Sequence, residues 1–502
     1  MCGIIGTFPM QKFSQVAEGV TLLTHRGPDE RSIFELSNGT VGHTRLAILD
    51  VSGGHQPIVE QDSYIVFNGE IYNYIELRNT LSDKTRTESD TEVILRLYNQ
   101  LGPECIKYLD GMFAFAIYKD GELFLARDPL GIKPLYYSFE KDGIWFASEI
   151  KSLLGKTTNI KEFPPGFYWH SEKGFKQYYN IYKLADGKAV QDNDNYPKIT
   201  LQIRESLREA VYKRLIADLT VPVGVSLSGG LDSSIVTALA KEGKEKLDTF
   251  VVGTPESDDI EASCQVSKWL NTKHHIFKYS YNDIHEVLPE VIYHLESYDA
   301  PLVRSAIPNY FLAKLASDHV KVILLGEGAD ELFAGYEYMF GINDSVLLDK
   351  EIRIITNKLH NTNLQRADRM TMAHSIEGRV PFLDSCVIET ALKIPANHKI
   401  QTRKNMSKEL LRESVSNLLP DNIVWRPKKK YSEGAGSIDM LVDYANKKIS
   451  DNEIINHNNK TNHPVRSKEE LLYFYIFKDT FGDRVSNDSI GLTRSITKNE
   501  LN

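Results

Sequence analysis

The change of texture across Leu184–Pro197 constrains this chain most, because the stretches on its two sides cannot belong to one folding pattern. Before it lie short β-rich runs with frequent turns: Gly111–Tyr118, Glu122–Ala126 and Ile144–Ala147. Lys119-Asp120-Gly121 joins the first two as a hairpin signal. Val93, Ile94, Leu97 and Leu101 recur at helical spacing and predict a helix near Glu92–Leu101. These features predict two layers of mostly antiparallel sheet with flanking helices. After the change, a helix from about Leu201 to Leu215 leads to the apolar run Val221–Leu227, a Gly-Gly turn and a helix beginning near Asp232. Further apolar runs follow at Thr249–Val252 and Val320–Leu325, with helical segments between them. Strand–helix alternation of this kind predicts a parallel α/β sheet. The expected organisation is a two-domain α/β chain: an antiparallel-sheet domain at 1–185, a polar linker at 186–198, a parallel-sheet domain at 199–485 and a tail at 486–502. The polar stretch Asn452–His463 reads as a loop.

The 502 residues suffice for roughly two to four domains with substantial cores. A net charge of −9 argues against a nucleic-acid partner. The one short basic run, Arg426-Pro427-Lys428-Lys429-Lys430, is too small to reverse that. Cys2, Cys105, Cys264 and Cys386 are scattered without metal-ligand spacing, which points to a reduced, cytoplasmic protein. No apolar stretch approaches the roughly 18 residues of a membrane span, and the N-terminus lacks the pattern of a signal peptide.

Two motifs in the second half point to phosphate chemistry. Ser228-Gly229-Gly230-Leu231-Asp232-Ser233-Ser234 stands between a predicted strand and a predicted helix. Its glycines let backbone N–H groups approach an anion, the helix N-terminus adds its positive end, and three hydroxyls can donate. The lysine of a Walker loop is missing, so a pyrophosphate with Mg²⁺ held at Asp232 suits the motif. The bland alternative is a Ser/Gly turn that caps a helix. Gly326-Glu327-Gly328-Ala329-Asp330-Glu331 follows the run Val320–Leu325, at a strand C-terminus, where open α/β sheets place ligands. Its three carboxylates repel one another unless a cation is present, which makes Asp330 a second Mg²⁺ candidate beside Asp232. The alternative here is a solvated acidic turn.

At the other end stands Met1-Cys2-Gly3-Ile4-Ile5-Gly6. Removal of Met1 would give Cys2 a free α-amine of pKa about 7.7–8.0, able to take the proton of its own thiol. Arg45-Leu46-Ala47-Ile48-Leu49, Asn68-Gly69-Glu70 and Asp90 are candidate substrate contacts. An Arg can pair with a substrate's α-carboxylate, and a carboxylate with an α-ammonium. Asn68 and the Gly69 N–H can form an oxyanion hole. Asn68-Gly69 also reads as a type I′ hairpin turn.

Together with Arg379-Val380-Pro381-Phe382-Leu383-Asp384 and Trp425-Arg426-Pro427-Lys428, the second-half motifs resemble the ATP-pyrophosphatase synthetase domain of glutamine-dependent asparagine synthetases. With His25-Arg26-Gly27-Pro28-Asp29, the first-half motifs resemble the N-terminal-nucleophile glutaminase domain of class II amidotransferases, which implies an αββα sandwich. The resemblance runs from Cys2 to about Phe481. It implies asparagine synthesis from aspartate, MgATP and glutamine-derived ammonia through a β-aspartyl-AMP, releasing AMP, pyrophosphate and glutamate. Cys2 would be the nucleophile, with glutamine held by Arg45, Leu46, Ala47, Ile48, Leu49, Asn68, Gly69, Glu70 and Asp90. Ser228, Gly229, Gly230, Asp232, Ser233 and Ser234 would bind pyrophosphate, and Leu227, Val252 and Gly326 the adenosine part. Glu327 would accept a proton from the attacking ammonia, and Lys428 would stabilise charge on the phosphate. An apolar tunnel from Cys2 to Glu327 would keep ammonia unprotonated. A homodimer without nucleic-acid or membrane partners is the expected assembly.

The sequence also departs from the family pattern. Pro301-Leu302 stands where many members have Thr-Thr before an arginine, here Arg304, and Ala334 where glycine is common. The run Met339-Phe340-Gly341 differs as well. The alternative is therefore amidation of a different carboxylate by the same chemistry. A tRNA-thiolating enzyme would want a basic face and a sulfur-carrying cysteine pair, and neither is visible.

Overall fold

Strands Ser63–Ile71 and Gly111–Lys119 pair antiparallel along their whole length, from Ser63 opposite Lys119 to Ile71 opposite Gly111. Asp120 and Gly121 take φ of 52° and 83°, the left-handed pair that a two-residue hairpin needs, and return the chain as strand Glu122–Arg127. This hairpin is the centre of a six-stranded sheet bounded by Gly174–Gln177 and Ile58–Glu60. A second six-stranded antiparallel sheet is built around Gly3–Phe8, flanked by Gly39–Arg45 and Gly143–Ala147. Alternation along the strands turns one face of each sheet inward, and Ile4, Val41 and Phe146 meet Val66, Ala114 and Leu125 between the layers. Helix Asp90–Leu101 begins where the Ser89 side chain accepts from the Thr91 N–H, and its buried Val93, Ile94, Leu97 and Tyr98 cover the outer face of the first sheet described. Helix Phe13–Leu22 covers the other sheet. The first half is thus the expected αββα sandwich.

The computed structural model describes residues 1–184, 196–400, 406–428, 434–436, 438–461, 464–485 and 489–493. Most of the expected linker, 186–195, lies outside these residues, while 196–198 already belong to helix Tyr196–Lys213, five residues ahead of the start expected near Leu201. The second half is a five-stranded parallel sheet in the order Lys273–Lys278, Asp248–Gly253, Val223–Ser226, Val322–Leu324, Glu377–Arg379. Val223–Ser226 is first in sequence yet central, so the strand order reverses beside it and opens a crevice at the strand C-termini.

One loop expectation fails. Asp451–Asn458, overlapping the expected loop 452–463, is a helix, started by a capping box between Ser450 and Glu453 and packed through Ile454 on Ile449, Val465 and Leu471. A local cap and one apolar anchor suffice there despite the polar composition. Residues 489–493 of the expected tail lie against the body: Ser489 Oγ donates to the Ile160 carbonyl and Ile490 is buried.

The halves are joined by charge as well as by apolar contact. Arg26, fully buried, sits 2.7 Å from Glu149 and 2.8 Å from Asp368 of the second half. One cluster of buried apolar side chains runs from Met1, Leu46 and Met112 to Val225 and Leu325.

Candidate active sites

Cys2 enters the first strand of its sheet buried, with its backbone N–H 3.1 Å from Asn68 Oδ1. Asn68-Gly69 is not a turn. It lies inside strand Ser63–Ile71, where full-length pairing with the neighbouring strand overrides the local turn preference. The strand fixes the carboxamide: Oδ1 accepts from Cys2, while Nδ2 is buried without a hydrogen-bond partner among the described residues. Burial pushes the Cys2 thiol up, against the pull of the Met1 ammonium.

A pocket opens at Cys2, lined by Arg45, Leu46, Ile48, Leu49, Gly69, Glu70 and Asp90. Two of the expected set do not line it: Asn68, which lies behind it against Cys2 N, and Ala47, whose N–H donates to Asp29 Oδ2. Arg45 is aimed by two carbonyls, Nη2 lying 2.6 Å from Asp50 O and Nη1 3.2 Å from Val51 O. Asp90, at the start of its helix, accepts from the Ile71 N–H. Burial raises its carboxyl to about 6, opposed by that hydrogen bond. Burial also pushes Glu70 well above the usual carboxylate range, against the Arg379 guanidinium.

Ser89 and Thr91, which flank Asp90 in the motif Ser89-Asp90-Thr91-Glu92, also line the pocket, and so do residues that no motif announced: Gly54, Gln56 and Phe67 from the first half and Glu377 from the second. Gln56 fixes the strand by accepting from the Phe67 N–H at 2.7 Å. Glu377 places Oε1 2.6 Å from Arg379 Nε and Oε2 3.2 Å from the α-ammonium of Met1, which lies buried in the pocket. Against the penalty of burial, Arg379 and that ammonium hold Glu377 below its ordinary range. The sole sequence signal is its position two residues before Arg379 of the Arg-Val-Pro-Phe motif, which says nothing of the first half.

The second site occupies the crevice. The loop Ser228–Ser234 leaves strand Val223–Ser226 and enters helix Leu231–Gly243. Gly229 has φ of 72°, and a Cβ there would meet Ser263 N at 2.5 Å, so only glycine fits. Ser228 and Ser233 hydroxyls lie 3.1 Å apart, the Ser234 hydroxyl is buried without a hydrogen-bond partner, and no side chain caps the helix at Gly230. The loop holds its own shape, Ser228 N donating to Ser233 Oγ and Ser233 Oγ to the Gly230 carbonyl, and leaves the Ser234 hydroxyl, without a partner among the described residues, at a helix N-terminus, where an anion is favoured. Leu227, just past strand Val223–Ser226, and Val252, on the neighbouring strand Asp248–Gly253, are buried, and Leu227 N donates to Phe250 O.

The two motifs meet here. A Cβ on Gly326 would lie 3.1 Å from Asp232 Cβ. Glu327 is ion-paired with Arg366, and burial raises its carboxyl, opposed by Arg366 and reinforced by Asp330. Lys428 pairs with Asp330, whereas Lys429 and Lys430 lie outside the described residues. Asp232 and Asp330 converge on one further ammonium, that of Lys408, a residue without a sequence signal. Two carboxylates beside an anion cradle suit Mg²⁺, which takes one or two protein carboxylates and completes its shell with phosphate and water. Among the described residues, no group of three or more His, Cys, Asp or Glu side chains forms a metal cage.

Of the departures, Ala334 takes φ of 52°, a conformation easy for glycine and costly for alanine. Pro301 and Leu302 fall in the first turn of helix Ala300–Ser317, with Leu302 buried, and Arg304 is tied to Glu469 at 3.0 Å.

An N-terminal-nucleophile sandwich with a pocket at Cys2, joined to a parallel α/β unit with a glycine loop at the central strand's C-terminus, defines an amidotransferase coupled to a synthetase. The glutamine amidotransferase domain family matches residues 1–195, and the asparagine synthase family matches residues 202–348 and 342–488. The chain is 37% identical over 513 residues to asparagine synthetase B (glutamine-hydrolyzing) of Escherichia coli, covering 96% of this chain and 91% of that one. It is 34% identical to a probable asparagine synthetase (glutamine-hydrolyzing) of Dictyostelium discoideum, covering 95% of this chain and 93% of that one. It is 35% identical to asparagine synthetase (glutamine-hydrolyzing) 1 of Arabidopsis thaliana, covering 96% and 86%. The chain belongs to the glutamine-hydrolysing asparagine synthetase family.

Proposed function

We propose that this protein makes asparagine from aspartate, with ATP as the energy source and glutamine as the nitrogen source. The observation that carries the glutaminase half is Asn68, which fixes Cys2 with one end of its carboxamide and keeps a buried, unpartnered donor at the other. Once Met1 is removed, the α-amine of Cys2 takes the thiol proton and the sulfur attacks the glutamine amide. Asn68 Nδ2 and the Gly69 N–H then hold the oxyanion. Ammonia leaves, and water releases glutamate from the thioester. Arg45 receives the glutamine α-carboxylate, and Glu70 and Asp90 receive its α-ammonium.

In the crevice an aspartate carboxylate oxygen attacks the α-phosphorus of ATP, giving β-aspartyl-AMP and pyrophosphate. Ser228, Gly229, Gly230, Ser233 and Ser234 hold the pyrophosphate, while Leu227, Val252 and Gly326 contact the adenosine. Magnesium, held by Asp232 and Asp330, would neutralise charge on the phosphates. Ammonia attacks the acyl carbon, Glu327 accepts the surplus proton, Lys428 stabilises the negative charge, and AMP leaves. The raised carboxyl of Glu327 suits a proton acceptor. The buried apolar cluster shared by both halves supports an internal path for ammonia. Four unbridged cysteines fit a cytoplasmic enzyme, and we place it there as a homodimer. Among the described residues no helix is long and apolar enough to cross a membrane.

The test is to incubate the protein with glutamine, MgATP and a panel of carboxylic acids, and to measure pyrophosphate, AMP and amidated product. Asparagine from aspartate is the expected result. Amidation of another acid in its place would assign the acceptor that Pro301-Leu302 and the tethered Arg304 leave open. Labelled external ammonia competing fully into product during glutamine turnover would refute the internal path.

A further inference from the structure

Asp232 and Asp330 lie 98 positions apart in sequence, and a third residue brings them together. Lys408 Nζ is 2.8 and 2.6 Å from the two oxygens of Asp232 and 2.6 Å from Asp330 Oδ1. The lysine is 2% exposed, although lysine stems usually reach for water. Its backbone is left-handed, φ 57° and ψ 33°, a conformation a non-glycine residue keeps only where its surroundings impose it. The surroundings are tight: a Cβ on Gly335 would lie 2.3 Å from Lys408 Cε and 1.9 Å from Asp330 Oδ1. Helix Glu409–Ser414 follows directly and is pinned by Arg412, whose Nε donates to Ser407 O at 2.7 Å and Nη1 to Arg426 O at 3.0 Å. The same guanidinium thereby ties the Lys408 turn to the segment that carries Lys428.

An ammonium in contact with both carboxylates stands on the ground that a divalent ion would take, and the two charges exclude each other. A lysine displaced from there has a flexible four-carbon stem and three donors, and the hydroxyl and N–H cradle of Ser228–Ser234 adjoins Asp232. We propose that Lys408 is the internal cation of the synthetase site: it holds Asp232 and Asp330 in the nucleotide-free protein and turns to the phosphate oxygens of the nucleotide when the divalent ion arrives with it. This rests on the reading that Asp232 and Asp330 hold magnesium. Its consequence is that a free divalent ion binds poorly and the ion–nucleotide complex binds well.

The experiment uses the full chain, with Mn²⁺ as a paramagnetic probe titrated onto nucleotide-free protein, and MgATP binding followed by calorimetry. In Lys408→Met, Mn²⁺ alone should bind about tenfold or more tighter, the order expected when one repelling charge is removed at hydrogen-bond distance. MgATP should bind the same variant more weakly. Opposite movements support the proposal. A parallel loss of both affinities, or an unchanged Mn²⁺ affinity, overturns it and leaves Lys408 a packing residue. The magnesium reading is checked separately by Mn²⁺ binding to Asp330→Asn with ATP present, where an affinity equal to wild type removes Asp330 as a ligand whatever Lys408 does. Should Lys408→Met not fold, the comparison moves to Asp232→Asn, where one carboxylate charge is already gone. Adding Lys408→Met to it must again tighten Mn²⁺, and failure to do so counts against the proposal.

Discussion

Arg379 Nη2 lies 3.3 Å from Glu70 Oε2, so a residue of the parallel sheet is the counter-ion of a carboxylate in the pocket beside Cys2. The same arginine donates to Glu377 and to the carbonyls of Arg214 and Ile216, and its own carbonyl accepts from Leu325 N at 2.8 Å. Leu325 immediately precedes Gly326-Glu327 of the second site. One strand-to-strand hydrogen bond therefore stands between the framework of the two sites.

Arg379→Met should be costly, because it strands Glu70 and Glu377 in the interior. Breaking a buried pair from one side typically removes about 3–5 kcal/mol. Chemical denaturation should show a loss of that order, with glutamine-dependent activity falling further than ammonia-dependent activity. A loss below about 1 kcal/mol, the range of an exposed ion pair, would show that the pair does not hold the interface.

Cys2→Ala should abolish asparagine formation from glutamine and spare formation from ammonium salts. The thiol belongs to one site, and the cradle, Glu327 and Lys428 belong to the other. Assay of both nitrogen sources on the folded variant checks this, and loss of both activities would mean the sites cannot be separated.

Asn68→Asp keeps an oxygen to accept from Cys2 N and removes the buried donor. Glutaminase kcat should fall by about 10²–10³, the effect of deleting one oxyanion donor. An accompanying tenfold rise in KM with little change in kcat would instead mark Asn68 as a ground-state contact.

The pH dependence of glutamine binding follows from Asp90. Its carboxyl titrates at about 6 in the free protein, so it is charged above that pH and neutral below it. An α-ammonium needs the charged form, so protonation of Asp90 should raise KM for glutamine by about tenfold per unit below pH 6. Asp90→Asn should raise KM and flatten that limb. A wild-type KM constant from pH 5 to 8 would remove Asp90 from the contact set.

Much of this was legible in the residues. Asp120-Gly121, Ser89 and Gly229 act on the backbone within a few positions, so hairpin, helix start and anion loop can be read locally. Asn68-Gly69 was ambiguous for the same reason: its dipeptide preference is that of a turn, and pairing with Phe113 and Ala114 on another strand decides otherwise. Asn452–His463 reads as a loop from its polarity because one capping box and one isoleucine carry the helix.

The sequence by itself determined the two folding patterns and the family, and marked Cys2 and the loop Ser228–Ser234 as candidates, since each is written in residues close together. Only the tertiary structure decided that Glu377 lines the pocket at Cys2, that Arg379 pairs with Glu70 of that pocket, that Arg366 holds Glu327, and that Lys408 joins Asp232 to Asp330. The physical reason is that a charged side chain is defined by its partner. A lysine in a polar stretch reads as a solvated charge until the fold closes over it and leaves two carboxylates as its surroundings.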